Sequence, residues 1–395
     1  MTPPPPDQLA PASLIARIHD DLLTNPGPVD AERVSTIAQS EGIFVDRARL
    51  LALTEHIRNH VQGLGPLQPY ITDDVTDVLL NADGTVWIDD ATGLHATATT
   101  VPAHESRSLA TRLAALGDRR LDDAMPWADA QLPGGLRLHA VLPPLSTGGA
   151  LISVRRAATT PLTLDNLEAS GTLDQTSRPI VEAIVASRLA FLVSGGTGTG
   201  KTTLMGAMLT ATDASERIVI VEDAAELRPA HPHVVHLQAR HANAEGTGEV
   251  SLGTLVRQCL RMRPDRIIVG ECRGEEVREL LQALNTGHEG GGGTLHANTA
   301  ADVPARLEAL GALANLDAAA LAAQALAAVD VIVHMERRHG ERRLAQIAVL
   351  GHGADGRLTS QPAVSFGSHR REGKTAKPRF FPAWDQLSAR LEETR

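Results

Sequence analysis

The stretch Leu189–Thr203, LAFLVSGGTGTGKTT, combines the residue types that bind a phosphate group. Within it, GGTGTGKT matches the spacing G-x-x-x-x-G-K-[ST]. Glycines let consecutive backbone N–H groups turn toward one anion, and the N-terminus of a following helix adds partial positive charge. Lys201 can reach the β- and γ-phosphates of a nucleotide, and the Thr202 hydroxyl can ligate Mg²⁺. The predicted nucleotide-binding residues are Gly195, Gly196, Thr197, Gly198, Thr199, Gly200, Lys201, Thr202 and Thr203.

The lysine in this loop is a rare residue in the chain. The sequence has 34 arginines but only three lysines, Lys201, Lys374 and Lys377. A slim ammonium group fits inside a backbone cradle that a planar guanidinium cannot fill. A glycine-rich turn with an incidental lysine is the alternative, and it does not account for this choice. We therefore expect the chain to bind ATP with Mg²⁺.

The elements around the loop are those that a phosphate-binding loop requires. A short apolar run, Leu189–Val193, predicts a buried parallel strand before the loop, and Leu204–Leu209 predicts a helix after it. From Arg178 onward, helical and apolar strand patterns alternate, which is typical of a parallel sheet with helices on both faces. The predicted strands are Leu189–Ser194, Ile218–Glu222, Val234–Leu237, Ile267–Gly270, Gly293–His296 and Val329–Met335.

Two of these strands end in carboxylates. Glu222 closes the run IVIVE, with Glu226 shortly after it, and Glu271 follows the run IIVG. Ligands of a parallel sheet gather at the carboxyl ends of its strands, where an acid can hold Mg²⁺ or deprotonate an attacking water. Acids can also end strands simply because they prefer solvent. We predict catalytic roles for both strand ends and a contribution of Glu222 to Mg²⁺ binding.

A third segment, TGHEGGGGTLHAN, places His288 and His296 on either side of four glycines. The glycines suggest a pliable loop, and a histidine here could contact the γ-phosphate region. A core histidine is the simpler alternative. A metal site is disfavoured because no further Cys or His cluster joins the two histidines.

Charge and composition restrict the class of protein. The net charge of −10 argues against a broad nucleic-acid-binding surface. Two cysteines without metal-type spacing suit a reducing cytosol. No run of about 18 apolar residues predicts a membrane span, and the N-terminus lacks the features of a signal peptide. We expect a cytoplasmic protein that is at most peripheral to a membrane.

The chain divides into segments of different pattern. We predict an α/β fold with a smaller α+β N-terminal domain and a helical pre-domain. The predicted boundaries are a disordered segment at 1–11, the pre-domain at 12–63, the α+β domain at 64–157, a linker or hinge at 158–176, the ATP-binding domain at 177–350 and a poorly packed tail at 351–395.

Four segments in this order resemble the type II/IV secretion ATPase superfamily: the phosphate loop, an aspartate box (IVIVEDAAEL), a degenerate Walker B (RPDRIIVGECRG) and a histidine box (TGHEGGGGTLHAN). The segments SGGTGTGKTTL and TLHANT look most like the branch that assembles tight-adherence (Tad/Flp) pili, the Cpa-type ATPases. The resemblance covers about residues 50–350. It departs from the family where Pro133–Leu136 replaces D-G-S and where Gly290–Gly293 replace other residues in the histidine box.

The resemblance implies a role for each site residue. Lys201 and Thr202 would hold phosphate and Mg²⁺, and Glu271 would be the general base. Glu222 and Glu226 would assist, and His296 would belong to the histidine box together with His288. Two arginines would stabilise transition-state charge: these are Arg137, reaching the nucleotide from the N-terminal domain, and Arg273. Arg155 and Arg156 would shape the linker.

The resemblance also implies an architecture: a RecA-like ATPase domain in a homo-hexameric ring. ATP would lie between the two domains, and hydrolysis would open and close that cleft. The ring would act on inner-membrane platform proteins of a pilus or secretion machine, at the cytoplasmic face of the membrane. Two alternatives remain. One is a conjugation or DNA-transfer ATPase, and the other is a regulatory nucleotide-binding module with little hydrolysis.

Overall fold

The chain forms two compact units, Met1–Ala158 and Thr159–Arg395, in a computed structural model. The structure describes residues 12–25, 27–61, 63–90, 92–156, 161–240, 247–338, 340–353, 356–367 and 377–392. The predicted disordered segment at 1–11 and most of the basic part of the tail therefore lie outside the described residues.

The first unit begins with three helices, α1 (Ala12–Thr24), α2 (Ala31–Ser40) and α3 (Arg47–Val61). Their apolar faces meet in a small core to which Leu14, Ile18 and Ile57 contribute fully buried side chains. Asp30 caps α2 by accepting a hydrogen bond from the backbone N–H of Arg33. Residues 12–61 thus have the helical structure that the sequence predicts.

The rest of the first unit is an antiparallel sheet covered by one helix. Its strand order is β3-β2-β1-β6-β5-β4, and α4 packs onto its apolar face. The elements are β1 (Asp77–Leu80), β2 (Thr85–Asp90), β3 (Gly93–Thr100), α4 (Ala103–Leu116), β4 (Trp127–Leu132), β5 (Leu136–Val141) and β6 (Leu151–Arg156), preceded by a 3-10 helix over Gly65–Tyr70. The sequence patterns predict strands at Val75–Leu80, Thr85–Asp89, Leu136–Leu142 and Leu151–Arg155, but they do not predict β3 and β4.

The second unit is built on a nine-stranded sheet of order β15-β14-β13-β12-β7-β11-β10-β8-β9. The six strands from β12 to β9 are parallel, and the three at the other edge are antiparallel. The strands are β7 (Phe191–Gly195), β8 (Ile218–Glu222), β9 (Val234–Gln238), β10 (Arg266–Cys272), β11 (Gly292–His296), β12 (Val331–Arg338), β13 (Glu341–His352), β14 (Leu358–Ser365) and β15 (Arg379–Phe380).

Helices cover both faces of this sheet, as the α/β prediction requires. Along β7, Phe191 and Val193 point into one core while Leu192 points into the other, so the central strand is apolar without alternation. The helices are α5 (Leu164–Ala169), α6 (Ser177–Ala186), α7 (Lys201–Thr210), α8 (Leu252–Cys259), α9 (Val277–Leu284), α10 (Val303–Leu313), α11 (Ala318–Ala328) and α12 (Ala383–Glu392), with a 3-10 helix over Ala300–Asp302.

The structure corrects two expectations about segments that border the ATP-binding domain. The described part of residues 351–395 is not a poorly packed tail, because β14 pairs with β13 and α12 buries Leu387 and Leu391 in the core. The predicted linker also contains α5, whose Leu164 and Leu167 are buried in the same core. Both segments are rich in turn-forming residues, so their few apolar residues give no clear period in the sequence.

Among the described residues, no single helix has the length and apolar composition of a membrane span. One pair, Ala300–Leu313 with Ala318–Ala328, passes that test together but is bent by 120° at its break. Their side chains supply Leu307, Leu310 and Leu321 to the core on one face of the nine-stranded sheet.

Candidate nucleotide-binding site

The loop between β7 and α7 has the backbone of an anion cradle. Gly198 and Gly200 have φ angles of 72° and 91°, which side chains with a β-carbon rarely adopt. At Gly195, φ is 155°, and an added β-carbon would lie 2.5 Å from the Met335 carbonyl oxygen and 2.6 Å from Thr199 Oγ1. Three of the four glycines are therefore required by backbone geometry or close packing.

Lys201 begins α7 and reaches back over the loop. Its Nζ donates to the Gly196 carbonyl oxygen at 2.9 Å, and Thr199 Oγ1 donates to the same oxygen at 2.9 Å. Burial lowers the pKa of Lys201, and the charge of Glu271 opposes that effect. The ammonium group thus lies within electrostatic reach of Glu271 and has donors available for a phosphate oxygen.

Glu222 ends β8 and is 4% exposed. Its Oε1 accepts hydrogen bonds from the backbone N–H groups of Glu226 and Leu227, at 3.1 and 3.0 Å. Burial raises the pKa of Glu222 to about 7, although these two donors stabilise the carboxylate. Gly270 makes room for it, since a β-carbon there would lie 2.6 Å from Glu222 Cγ.

Glu271 lies on the adjacent strand β10 and is paired with Arg273. Arg273 Nε donates to Glu271 Oε2 at 2.8 Å, and its Nη2 lies 2.5 Å from the same oxygen. The turn that follows is fixed by Glu276, whose Oε1 accepts the backbone N–H groups of Arg273 and Gly274 at 2.5 and 2.9 Å. The structure therefore brings the phosphate loop, Glu222 and the Glu271–Arg273 pair to one edge of the sheet.

The two histidines of the third segment lie at opposite ends of β11. His296 pairs with Gly195 in the ladder, next to the phosphate loop, whereas Gly292 pairs with Phe191 at the start of β7. His288 precedes that start, and its Nδ1 lies 3.1 Å from the Ala283 carbonyl oxygen. Strands rise about 3.3 Å per residue, so His288 is more than 10 Å from the phosphate-loop edge. Of the two histidines, His296 is therefore the one placed to contact the γ-phosphate region, and that contact stays a prediction.

The four glycines between these histidines are tightly packed rather than pliable. All of Gly290–Gly293 are buried. An added β-carbon would lie 2.7 Å from the Ile267 carbonyl oxygen at Gly291, and 2.2 Å from the Phe191 carbonyl oxygen at Gly292. Neighbouring backbone approaches closely on this strand, so glycine is required by space and the loop is not loosened.

The three arginines that the sequence analysis assigns to the nucleotide or the linker lie in the sheet of the first unit. Arg137 is on β5, opposite Gln131 of β4. Arg155 Nε donates to Asp77 Oδ1 at 3.0 Å, and Arg156 pairs with Asp73. The roles predicted for these three residues toward the nucleotide or the linker stay predictions.

The residues present fit a nucleotide that carries its own Mg²⁺. The loop provides a glycine cradle, a lysine with free donors and the Thr202 hydroxyl on the first turn of α7. Within the described part of the chain, no group of three His, Cys, Asp or Glu side chains could hold a metal ion by itself. Mg²⁺ commonly binds through substrate phosphates and one or two protein ligands, which agrees with this arrangement.

The sequence model of the type II/IV secretion system protein family matches residues 60–355. The chain belongs to this family. The predicted superfamily is therefore confirmed, and the predicted Tad/Flp branch within it stays a prediction.

Relatives of this secretion-protein family member are similar over most of their length. A putative conjugal transfer protein of Mycobacterium tuberculosis (strain ATCC 25618 / H37Rv) is 54% identical over 319 residues, which cover 78% of this chain and 90% of that protein. The conjugal transfer protein TrbB of Rhizobium radiobacter is 34% identical over 299 residues, covering 74% of this chain and 89% of the relative.

Solved structures support the fold of this secretion-protein family member. The pilus retraction motor PilT with bound ADP superposes with a TM-score of 0.52 at 22% identity, over 74% of this chain and 84% of that one. The ATPase DotB of Yersinia pseudotuberculosis gives 0.51 at 17% identity, over 76% and 77%. The predicted α/β fold is thus confirmed.

Sequence reasoning missed two groups that contact the phosphate-loop region from β12 and β13. His334 is buried on β12, and its Nδ1 lies 2.9 Å from Oγ of Ser194, the residue before the loop. Burial lowers the pKa of His334, with the charge of Glu336 opposing. Arg342 of β13 donates from Nε to the Gly198 carbonyl oxygen at 3.1 Å. A polar residue inside the apolar run VIVHM was the signal available for His334.

Proposed function

We propose that this member of the type II/IV secretion system protein family is an ATP-hydrolysing motor. The observation that carries the proposal is the meeting of three groups at one sheet edge. The phosphate loop with Lys201 can bind the triphosphate, and Glu271 on β10 is close enough to influence the pKa of Lys201. Glu222 is buried at the neighbouring strand end. This arrangement provides phosphate binding and a base for water, which are the two requirements of hydrolysis.

In the proposed reaction each residue has one task. Backbone N–H groups of the loop and Lys201 Nζ hold the β- and γ-phosphate oxygens. On nucleotide binding, Lys201 Nζ would therefore give up its hydrogen bond to the Gly196 carbonyl oxygen and donate to a phosphate oxygen instead. Thr202 would hold the Mg²⁺ of the nucleotide through its hydroxyl group, and the ion would supply positive charge that offsets the negative charge of the phosphates. Glu271 orients the attacking water and accepts its proton. Arg273 holds the Glu271 carboxylate in place until the nucleotide binds.

The remaining predicted residues have supporting tasks. His296 lies beside Gly195, where its ring can respond to phosphate in the loop. Glu226 donates its backbone N–H to Glu222 and so helps to place that carboxylate, which would complete the Mg²⁺ site through water. The role of Arg137 as a source of positive charge for the transition state rests on the family resemblance alone.

We infer that the motor works as a homo-hexamer on membrane partners of a pilus or secretion machine, at the cytoplasmic face of the inner membrane. Pilus assembly of the Tad/Flp type is the first form of this proposal, supported by the motifs SGGTGTGKTTL and TLHANT. Conjugative transfer is the second, supported by the names of the relatives in Mycobacterium tuberculosis and Rhizobium radiobacter. The net charge of −10 favours a protein partner over direct contact with DNA.

Steady-state ATP hydrolysis with and without Mg²⁺ tests the motor function. Wild type should turn over only with Mg²⁺. Glu271→Gln should bind ATP but lose about 10²–10⁴-fold in kcat, the usual worth of a general base. Glu275→Gln is the matched control, since this neighbouring carboxylate is outside the proposed site, and it should keep wild-type kcat. ATP binding without turnover in wild type would instead favour a regulatory nucleotide-binding module.

Two further measurements separate the finer proposals. Sizing of Glu271→Gln with MgATP should show a species near six subunits if the ring forms on nucleotide. Turnover that rises on addition of DNA and falls steeply with salt would favour a DNA-transfer ATPase. Turnover unaffected by DNA would favour the pilus or protein-secretion motor.

A further inference from the structure

The hairpin formed by β12 and β13 places arginines next to the phosphate loop. Its sequence, ERRHGERR over residues 336–343, puts three cross-strand pairs in register: Glu336 with Arg343, Arg337 with Arg342, and Arg338 with Glu341. Directly opposite residues of an antiparallel pair point to the same face, and successive pairs alternate between faces. The two pairs of opposite charge therefore share one face, and the Arg337–Arg342 pair lies on the other.

The charges on these two faces are balanced differently. Arg343 Nε donates to Glu336 Oε1 at 2.5 Å, so the first face neutralises itself. On the second face, two arginines stand opposite each other, an arrangement that destabilises a hairpin. Of the residues that the structure describes, no carboxylate forms an ion pair with Arg337 or Arg342. Arg337 Nε instead donates to the Gly340 carbonyl oxygen at 3.3 Å.

The face with the two arginines is directed at Gly198 of the phosphate loop. Arg342 Nε donates to the Gly198 carbonyl oxygen at 3.1 Å, and a β-carbon added to Gly198 would lie 3.7 Å from Arg337 Nη1. Arg342 Cδ would likewise lie 3.4 Å from a β-carbon at Gly200. Both guanidinium groups are thus carried beside the segment that would bind the phosphates.

The hydrogen bond from Arg342 has a consequence for the loop backbone. In a trans peptide the C=O and the following N–H point in opposite directions. Holding the Gly198 carbonyl toward Arg342 therefore directs the Thr199 N–H away from Arg342. A loop glycine such as Gly198 can otherwise rotate this peptide at little cost, so the contact fixes a donor that an empty loop would leave mobile.

We propose that the Arg337–Arg342 pair is part of the nucleotide-binding site, with Arg342 positioning the phosphate loop and both guanidinium groups adding positive charge for a nucleoside di- or triphosphate. The unbalanced pair is tolerated in the hairpin because the bound anion offsets its repulsion. This inference rests on the proposed nucleotide binding and adds two residues to it that the motifs do not contain.

The proposal is tested by measuring the Kd for MgADP with titration calorimetry at low salt. Loss of one charge-assisted hydrogen bond should raise the Kd of Arg342→Ala about tenfold, and Arg337→Ala should raise it about threefold. Arg342→Lys should recover less than half of the loss, because its ammonium cannot replace the Nε donor. Arg338→Ala is the matched control, being on the other face of the same hairpin, and should stay within about twofold of wild type.

The thermal unfolding midpoint without nucleotide separates binding from a structural role. Arg337→Ala should leave the midpoint unchanged or raise it, because the substitution removes like-charge repulsion. Wild-type Kd for MgADP in both Arg342→Ala and Arg337→Ala would overturn the proposal, as would a lowered midpoint with unchanged binding. If Arg342→Ala fails to fold, Arg342→Gln provides the same comparison. A wild type that binds no MgADP would instead refute the proposed function itself.

Discussion

The two edges of the parallel sheet in the second unit both carry charged residues, but the hydrogen-bonding capacity of those residues is used to different degrees. At the amino edge, Arg266 is 1% exposed and donates to both carboxylate oxygens of Glu216, at 2.8 and 2.9 Å. It also donates to the carbonyl oxygens of Val185 and Gly290, at 2.9 and 3.3 Å. Arg188 adds a contact to Glu216 at 3.1 Å. Four of the five N–H donors of Arg266 are thus used within the protein.

At the carboxyl edge, the charged groups keep unused capacity. Lys201 donates to one loop carbonyl, and Glu222 is buried with only one of its oxygens accepting the two backbone N–H groups. The burial of charge is therefore common to both edges, and what distinguishes the functional edge is incomplete hydrogen bonding. The following predictions test this distinction, from the largest expected effect to the smallest.

Arg266→Met tests the amino edge. Removing one partner of a buried ion pair leaves Glu216 with only Arg188, and such changes cost about 3–5 kcal/mol. Urea unfolding should show this loss, while the Kd for MgADP of the folded protein stays within about twofold of wild type. The double variant Arg266→Met/Glu216→Gln should recover part of the loss, because no buried charge is left unpaired. A full loss of MgADP binding in folded Arg266→Met would mean that the two edges are not separate.

Glu222→Gln tests the carboxyl edge through pH. The pKa of Glu222 is raised from 4.5 to about 7, so in wild type this group contributes stability that is complete below about pH 4.5 and lost as pH rises through 7. Between pH 5 and 7.5, nucleotide-free wild type should lose about 2–3 kcal/mol more than Glu222→Gln. Glutamine keeps the Oε1 acceptor for the N–H groups of Glu226 and Leu227. Parallel stability curves for the two proteins, measured by urea unfolding, would contradict the burial argument.

Gly292→Ala tests whether the glycines of β11 are required by space. Its β-carbon would meet the Phe191 carbonyl oxygen at 2.2 Å, so we expect a loss of about 1–3 kcal/mol. Gly206→Ala is the control, since its β-carbon would meet only Leu227 Cδ2 at 3.8 Å inside helix α7. That substitution should be neutral or stabilise by up to about 1 kcal/mol. Equal unfolding free energies for the two variants would show that space does not require glycine at position 292 and would favour a pliable loop.

His296→Ala and His288→Ala compare the two ends of one strand. His296 lies beside the phosphate loop, so its removal should lower kcat for ATP hydrolysis about tenfold, less than the loss of the general base, because His296 does not itself transfer the proton. His288 lies at the amino edge, and its removal should change kcat less than about twofold. The reverse order of effects would show that His288 acts at the nucleotide.

The sequence predicts the parts of the fold that depend on long apolar runs. Strand β8 has its predicted bounds, Ile218–Glu222. Its four apolar residues and the glutamate that ends it are all buried, so the apolar run in the sequence matches the strand. Strand β3, GLHATATT, was missed because it lies at a sheet edge and all of its residues are partly or fully exposed. Helix α12 was missed for a similar reason, since only Leu387 and Leu391 of its residues are buried.

The candidate site was predictable where a motif supplies its own context, as in the phosphate loop. It was not predictable where tertiary neighbours decide the outcome. The sequence shows that Gly292 is flexible in principle, but not that the Phe191 carbonyl oxygen occupies the space of its side chain. Arg342 and Gly198 are 144 residues apart in the sequence, and nothing in the sequence shows that they form a hydrogen bond.

The nucleotide-induced shift of the thermal unfolding midpoint tests the division between the two edges most directly. Three proteins are compared with and without MgADP: wild type, Lys201→Ala and Arg266→Met. We predict that Lys201→Ala stays close to the wild-type midpoint without nucleotide but loses the shift, because it removes a ligand contact and no buried ion pair, only the hydrogen bond to the Gly196 carbonyl oxygen. Arg266→Met should have a lowered midpoint and keep the shift. A full shift in Lys201→Ala, or loss of the shift in folded Arg266→Met, would contradict the account.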